Sequence, residues 1–131
     1  MLPKINPETT QSWQNLEDHF AQNDFDFRSL FQQNPNRFND FSIKRPGYLF
    51  DFSKNLIDQE TLNLLLKLAE KTQLKSAISA MFEGQKINET EDRAVLHTAL
   101  RDFSDDEILV DGENIKPGIK RVLDQMKTFS A

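Results

Sequence analysis

Arg93, His97 and Arg101 recur at four-residue intervals in "TEDRAVLHTALR", residues 90–101. On an α-helix that interval places them on successive turns of one face. Two cations flanking a side chain that titrates near neutrality could steady an anion or move a proton. The same row also describes a solvated face whose arginines pair with Glu89, Asp92 or Asp102, or lay their aliphatic stems over another segment. Spacing alone favours this plainer reading. Glu89, Glu91 and Asp92 are carboxylates of the kind that perform acid–base catalysis, but such work needs a perturbed pKa in an enclosed site. A helix N-terminus, which favours acids through its dipole, accounts for them without chemistry. His19 has no second histidine or carboxylate pair at metal-ligand spacing near it, so it reads as structural.

Composition removes several chemistries. The 131-residue chain has no cysteine, which excludes thiolate nucleophiles, disulfides and cysteine-ligated metal centres. It has 4 glycines and neither a glycine-rich phosphate loop nor a nucleophile elbow. No catalytic residue, metal ligand or cofactor site is therefore assigned from the residues. With 21 acidic and 16 basic side chains, the net charge of −5 argues against nucleic acid as a partner, since phosphate neutralisation supplies most non-specific affinity. No stretch approaches the ~18 apolar residues of a membrane span, and the N-terminus lacks the apolar core of a signal peptide. A soluble cytoplasmic protein with no membrane partner is the expectation. The length suits one domain, and 37% hydrophobic residues with 11 phenylalanines suit a folded chain.

The elements that would position these side chains follow from local pattern. Asn6-Pro7-Glu8 reads as a helix start, with Trp13, Leu16, Phe20 and Ala21 as the apolar stripe. A shorter helix runs from Asp26 through Phe27, Leu30 and Phe31 and stops at Asn34-Pro35. The period then changes to two: Phe41 and Ile43, a turn at Arg45-Pro46-Gly47, then Tyr48, Phe50 and Phe52 predict a β-ribbon. Asp58 caps a helix with Leu62, Leu65, Leu66 and Ala69 as one stripe, widened by Leu64 and Leu68. Ile78, Met81 and Phe82 continue helically to a stop at Gly84. Asn88 and Glu91 resemble a capping arrangement that opens the helix carrying Arg93, His97 and Arg101, with Leu96, Leu100 and Phe103 as its buried row. "ILVDGENI" predicts a hairpin on Asp-Gly, and Pro117 opens a last helix with Ile119, Val122, Leu123 and Met126 in register. That helix runs into "KTFSA" without a glycine stop or polar tail, which reads as an end cut short.

The run "KINETEDRAVLHTALR", residues 86–101, closely resembles the phosphoglucose isomerase pattern K-I-N-x-T-E-x-R-A-V-L-H-x-A-L-R. "LFDFSKNLI" before it and "ILVDGENIKPGIKRVLDQMKTF" after it extend the resemblance over residues 41–129. Where the family often has glycine before the arginine, this chain has Asp92. The resemblance implies an aldose–ketose isomerase acting on a hexose phosphate through an enediol, as a homodimer and without metal or organic cofactor. It also implies that residues 1–131 are the N-terminal segment of an α/β/α sandwich fold, mainly α with short β-ribbons (α/β) in this portion. The family's catalytic glutamate, histidine and lysine and its phosphate loop lie beyond the matched stretch, so the chain alone is expected to be inactive. His97 matches a position inside the N-terminal motif, not the ring-opening histidine. Arg93, His97 and Arg101 are then supports of the substrate pocket or the dimer interface. A free-standing helical interaction module derived from the family is the rival expectation, since uncovered leucine and phenylalanine faces commonly mark interfaces. Either way the isolated chain is expected to self-associate.

Overall fold

The computed structural model describes residues 2–131. The chain divides into two compact units, Asn6–Thr72 and a second that joins residues 2–5 to Gln73–Ala131. Helices dominate both, with one two-stranded antiparallel sheet in each, a mixed α/β composition.

In the first unit the Asn6 side chain accepts a hydrogen bond from the Glu8 amide, but it caps only a 3-10 turn, Pro7–Thr9. The helix proper, α1 (Gln11–Gln22), starts one turn later than the proline suggests. Thr10 caps it through its hydroxyl, which accepts from the Trp13 amide at 3.2 Å. Asp26 caps α2 (Phe27–Gln33) by accepting from both the amide and the hydroxyl of Ser29. This helix stops where expected, before Pro35. After the short α3 (Arg37–Asp40), β1 (Ser42–Arg45) pairs with β2 (Tyr48–Asp51), Ile43 opposite Phe50. Pro46 presets a negative φ and Gly47 sits at φ 77°, the combination of a type II turn. The Phe52 amide donates to the Phe41 carbonyl at 3.0 Å below the strands, and the two rings meet edge to face.

Asp58 and Thr61 form a complete capping box at the start of α4 (Gln59–Lys71). This helix packs against α1. The faces differ from the periodic reading: Leu64 is the buried leucine and Leu68 half-buried, whereas Leu65 and Leu66 are exposed. Burial of Leu64 contributes roughly 2 kcal/mol. On α1, Trp13, Leu16 and His19 turn inward while Phe20 is 72% exposed. The histidine displaces Phe20 from the expected stripe because α4 offers it a carboxylate.

In the second unit α5 (Leu74–Phe82) closes in a Schellman motif, the Gly84 amide donating to Met81 and the Gln85 amide to Ala80. Gly84 has φ 72°, and a Cβ there would stand 2.8 Å from the Leu109 carbonyl oxygen. Strands β3 (Leu109–Val110) and β4 (Glu113–Asn114) are joined by Asp111 and Gly112, at φ 53° and 82°. Both central residues with positive φ make a type I′ turn, as the Asp-Gly pair predicts. The last helix, α6 (Lys116–Ser130), carries Pro117 in its first turn. Its row of Ile119, Val122, Leu123 and Met126 forms, yet the last three are exposed.

The helix expected from Asn88 onward does not form. Asn88 and Arg93 exchange backbone hydrogen bonds in both directions at 3.1 Å, an antiparallel bridge that closes a loop over residues 89–92. Asp92 closes it at φ 51°, a left-handed conformation that interrupts any α-helix. Residues 94–96 are irregular, and only a 3-10 turn, Ala99–Arg101, follows. Leu96 is half-buried, but Leu100 and Phe103 are exposed and Ala99 is the buried residue.

Candidate functional site

The bridge separates the three residues picked out by spacing. Arg93 pairs across the loop, His97 lies in a turn and Arg101 ends the 3-10 segment; all three are exposed. No common helical face collects them. Within the set, the Arg101 Nη1 donates to the His97 carbonyl at 3.2 Å, a local bond to the backbone, not an approach of side chains.

The upstream carboxylates are engaged in the surface of this loop. Glu89 meets the Lys4 ammonium at 2.6 Å, Glu91 accepts from the Asn88 side-chain Nδ2 at 3.2 Å, and Asp92 meets Lys86 at 3.2 Å. Asn88 also accepts from the Thr90 hydroxyl, so its side chain stays within the loop and caps no helix. Lys86 bridges a second carboxylate, Asp111 at 3.1 Å, tying the residue 89–92 loop to the hairpin turn. Asp111 first, and then Asp92, hold the Lys86 ammonium above the ordinary lysine value. Glu89 likewise raises Lys4. These are solvent-exposed ion pairs of small individual energy, and no carboxylate among them is enclosed as a general base requires.

A cleft of about 610 Å³ lies in the same unit. Leu100, Phe103, Ile119 and Leu123 line its apolar part, and Asp102 and Lys116 stand on its polar wall. The Lys116 Nζ meets Asp102 at 3.2 Å and donates to the carbonyl of Ser104. The Ser104 amide, then its hydroxyl and Lys116 hold the Asp102 carboxyl below the ordinary value. Cation and anion thus neutralise each other. Among the described residues no group of three histidine, aspartate or glutamate side chains could hold a metal ion.

The most buried charged group is one that spacing missed. Arg37 is 2% exposed; its Nε donates to the Ser53 carbonyl at 2.7 Å, and its Nη2 to those of Asn55 and Ile57 at 2.8 and 2.7 Å. The guanidinium carbon lies 4.4 Å from the Phe41 ring centre and 5.6 Å from that of Phe31. Burial pushes its pKa below the ordinary arginine value, and Asp58 pulls in the opposite direction. The available signal in the sequence was an arginine set among Phe31, Phe38 and Phe41, with no carboxylate at helical spacing before it. His19, read from the sequence as structural, is half-buried: its Nε2 lies 3.0 Å from the Asp58 Oδ1, and its ring stands 5.8 Å from that of Phe25.

The sequence model of the family described as Phosphoglucose isomerase matches residues 51–131, more than half of the chain. The chain belongs to the phosphoglucose isomerase family. The matched stretch takes in α4, α5, the residue 88–93 loop, the β3–β4 hairpin and α6.

Proposed function

We propose that this chain supplies the N-terminal part of a glucose-6-phosphate isomerase, which interconverts glucose 6-phosphate and fructose 6-phosphate through an enediol in glycolysis and gluconeogenesis. The observation that carries this reading is the family match over residues 51–131. Within the enzyme this portion contributes scaffold to an α/β/α sandwich in a cytoplasmic homodimer, and proton transfer belongs to other residues. Support for that division comes from the loop around the family motif, where Glu89 and Asp92 are paired with lysines in solvent instead of enclosed beside a reacting carbon. Arg93, His97 and Arg101 project from the same loop region, where they would steady the hexose phosphate pocket or the partner subunit. The exposed apolar residues of α6 would then be covered by the rest of the enzyme.

A coupled assay for fructose 6-phosphate, run on chain purified from a host lacking its own isomerase, tests the division of labour. No turnover is expected from the chain alone, and turnover would overturn its role as scaffold. Co-expression with a family isomerase deleted for the corresponding segment should restore activity. Failure of that restoration would instead favour a free-standing interaction module.

A further inference from the structure

We propose that Arg37 and His19 act as one latch on Asp58, fixing the point at which α4, the first helix of the family-matched stretch, begins. Both residues precede that stretch, and both act on it.

Residues 52–57 connect β2 to α4 without a strand or helix partner; the Ile57 amide reaches the Asn55 carbonyl at 2.9 Å, and the other donors to the carbonyls at 53, 55 and 57 come from a side chain. Arg37 provides them. A planar fork can reach several acceptors at fixed angles, and here it takes the carbonyls of Ser53, Asn55 and Ile57 at 2.7 to 2.8 Å. The rings of Phe41 and Phe31 limit its lateral movement. The last of the three carbonyls belongs to the residue immediately before Asp58, so the guanidinium sets the position of the peptide that enters the cap.

His19 holds the other side. Asp58 Oδ1 accepts from the Thr61 amide at 2.7 Å, the Thr61 hydroxyl at 2.7 Å and His19 Nε2 at 3.0 Å. Asn23 Nδ2 stands 3.3 Å from His19 Nδ1 while donating to the His19 carbonyl at 2.7 Å. The Asp58 carboxylate can only accept, so His19 Nε2 carries the proton aimed at it. One oxygen therefore serves both the capping box of α4 and the tie to α1, and Arg37 determines where it stands. Arg37 and His19 are positioning residues coupled through a shared acceptor, and their effects should not be independent.

Amide exchange on the 131-residue chain, followed residue by residue by NMR, tests this. In Arg37→Lys and in His19→Ala the Thr61 amide should exchange about tenfold faster while the Leu68 amide, mid-helix, is unchanged. His19→Gln, which returns an amide donor, should restore most of the protection. The double variant R37K/H19A should fall well short of the product of the two single effects. In Asp58→Ala, which removes the shared acceptor, Thr61 should already exchange fast and His19→Ala should add little. Equal acceleration at Thr61 and Leu68, no acceleration at Thr61, or a full multiplicative effect in the double variant would each overturn the latch. Should R37K fail to fold, the His19 and Asp58 variants decide alone: a His19→Ala effect that persists undiminished in the D58A background overturns it.

Discussion

At the scale of single residues, Arg37 and Asp58 show two ways in which hydrogen bonds hold a charge, one buried and one half-buried. A buried guanidinium is costly unless its protons are used, and three backbone carbonyls with two aromatic faces use them. For Asp58, burial pushes the carboxyl pKa up, but the Thr61 amide and hydroxyl and then His19 together outweigh it and leave the value below the ordinary one. A carboxyl depressed by folding contributes stability above its unfolded pKa of about 3.9, and the contribution is lost as pH falls through the lower folded value. Chemical-denaturation midpoints measured from pH 6 downward should therefore fall most steeply below about pH 4. Asp58→Asn should flatten part of that slope, leaving the portion due to Asp26, Asp51 and Asp102, whose carboxyls are also lowered by hydrogen bonds. Parallel profiles for the two proteins would show that Asp58 contributes nothing to acid sensitivity.

At the scale of elements, termini are set by short-range chemistry, and two glycines separate constraint from habit. Gly84 ends α5 at φ 72° with the Leu109 carbonyl against it, so Gly84→Ala meets both a strained backbone and a 2.8 Å contact. Gly118 lies inside α6 with open space where a Cβ would go. Thermal denaturation should show Gly84→Ala destabilised by about 1 kcal/mol or more and Gly118→Ala stabilised by up to about 1 kcal/mol. Equal and small effects at both sites would contradict the account of the Schellman closure. The loop over residues 89–92 obeys a different logic. Its bridge between Asn88 and Arg93 competes directly with helix formation, and Lys86 and Lys4 reinforce it from outside the loop.

At the scale of the whole chain, the buried hydrophobic side chains among the described residues are Phe41, Leu64, Ala80 and Ala99, two of them alanines. Phe129 is 94% exposed and Phe103 88%, while Tyr48, Phe50 and Met126 are also open to solvent. Uncovered apolar area of this kind drives association. The isolated chain should bind a hydrophobic fluorescent dye and show a light-scattering mass that rises with concentration. Phe103→Ser and Phe129→Ser together should weaken both signals. A monodisperse monomer indifferent to the dye would contradict the idea that further protein normally covers these faces.

Wherever a few neighbouring residues sufficed, the sequence by itself determined the structure. Asp58 with Thr61, Asp26 before α2, Asn34-Pro35 at its end, Pro46-Gly47, Asp111-Gly112 and Pro117 act through dihedral preference and contacts within one turn of chain. The family, too, was legible in residues 86–101, because its motif is contiguous. Tertiary structure alone decided which faces are buried and whether a permitted helix exists. Nothing near Arg37 in sequence reveals that its acceptors lie at residues 53, 55 and 57, and nothing near His19 reveals Asp58. Around Arg93, His97 and Arg101 the four-residue period satisfies a helix and tolerates a loop. The cross-chain pairing of Asn88 and the lysine contacts to Glu89 and Asp92 settle the choice, and contacts between distant residues leave no period in the sequence.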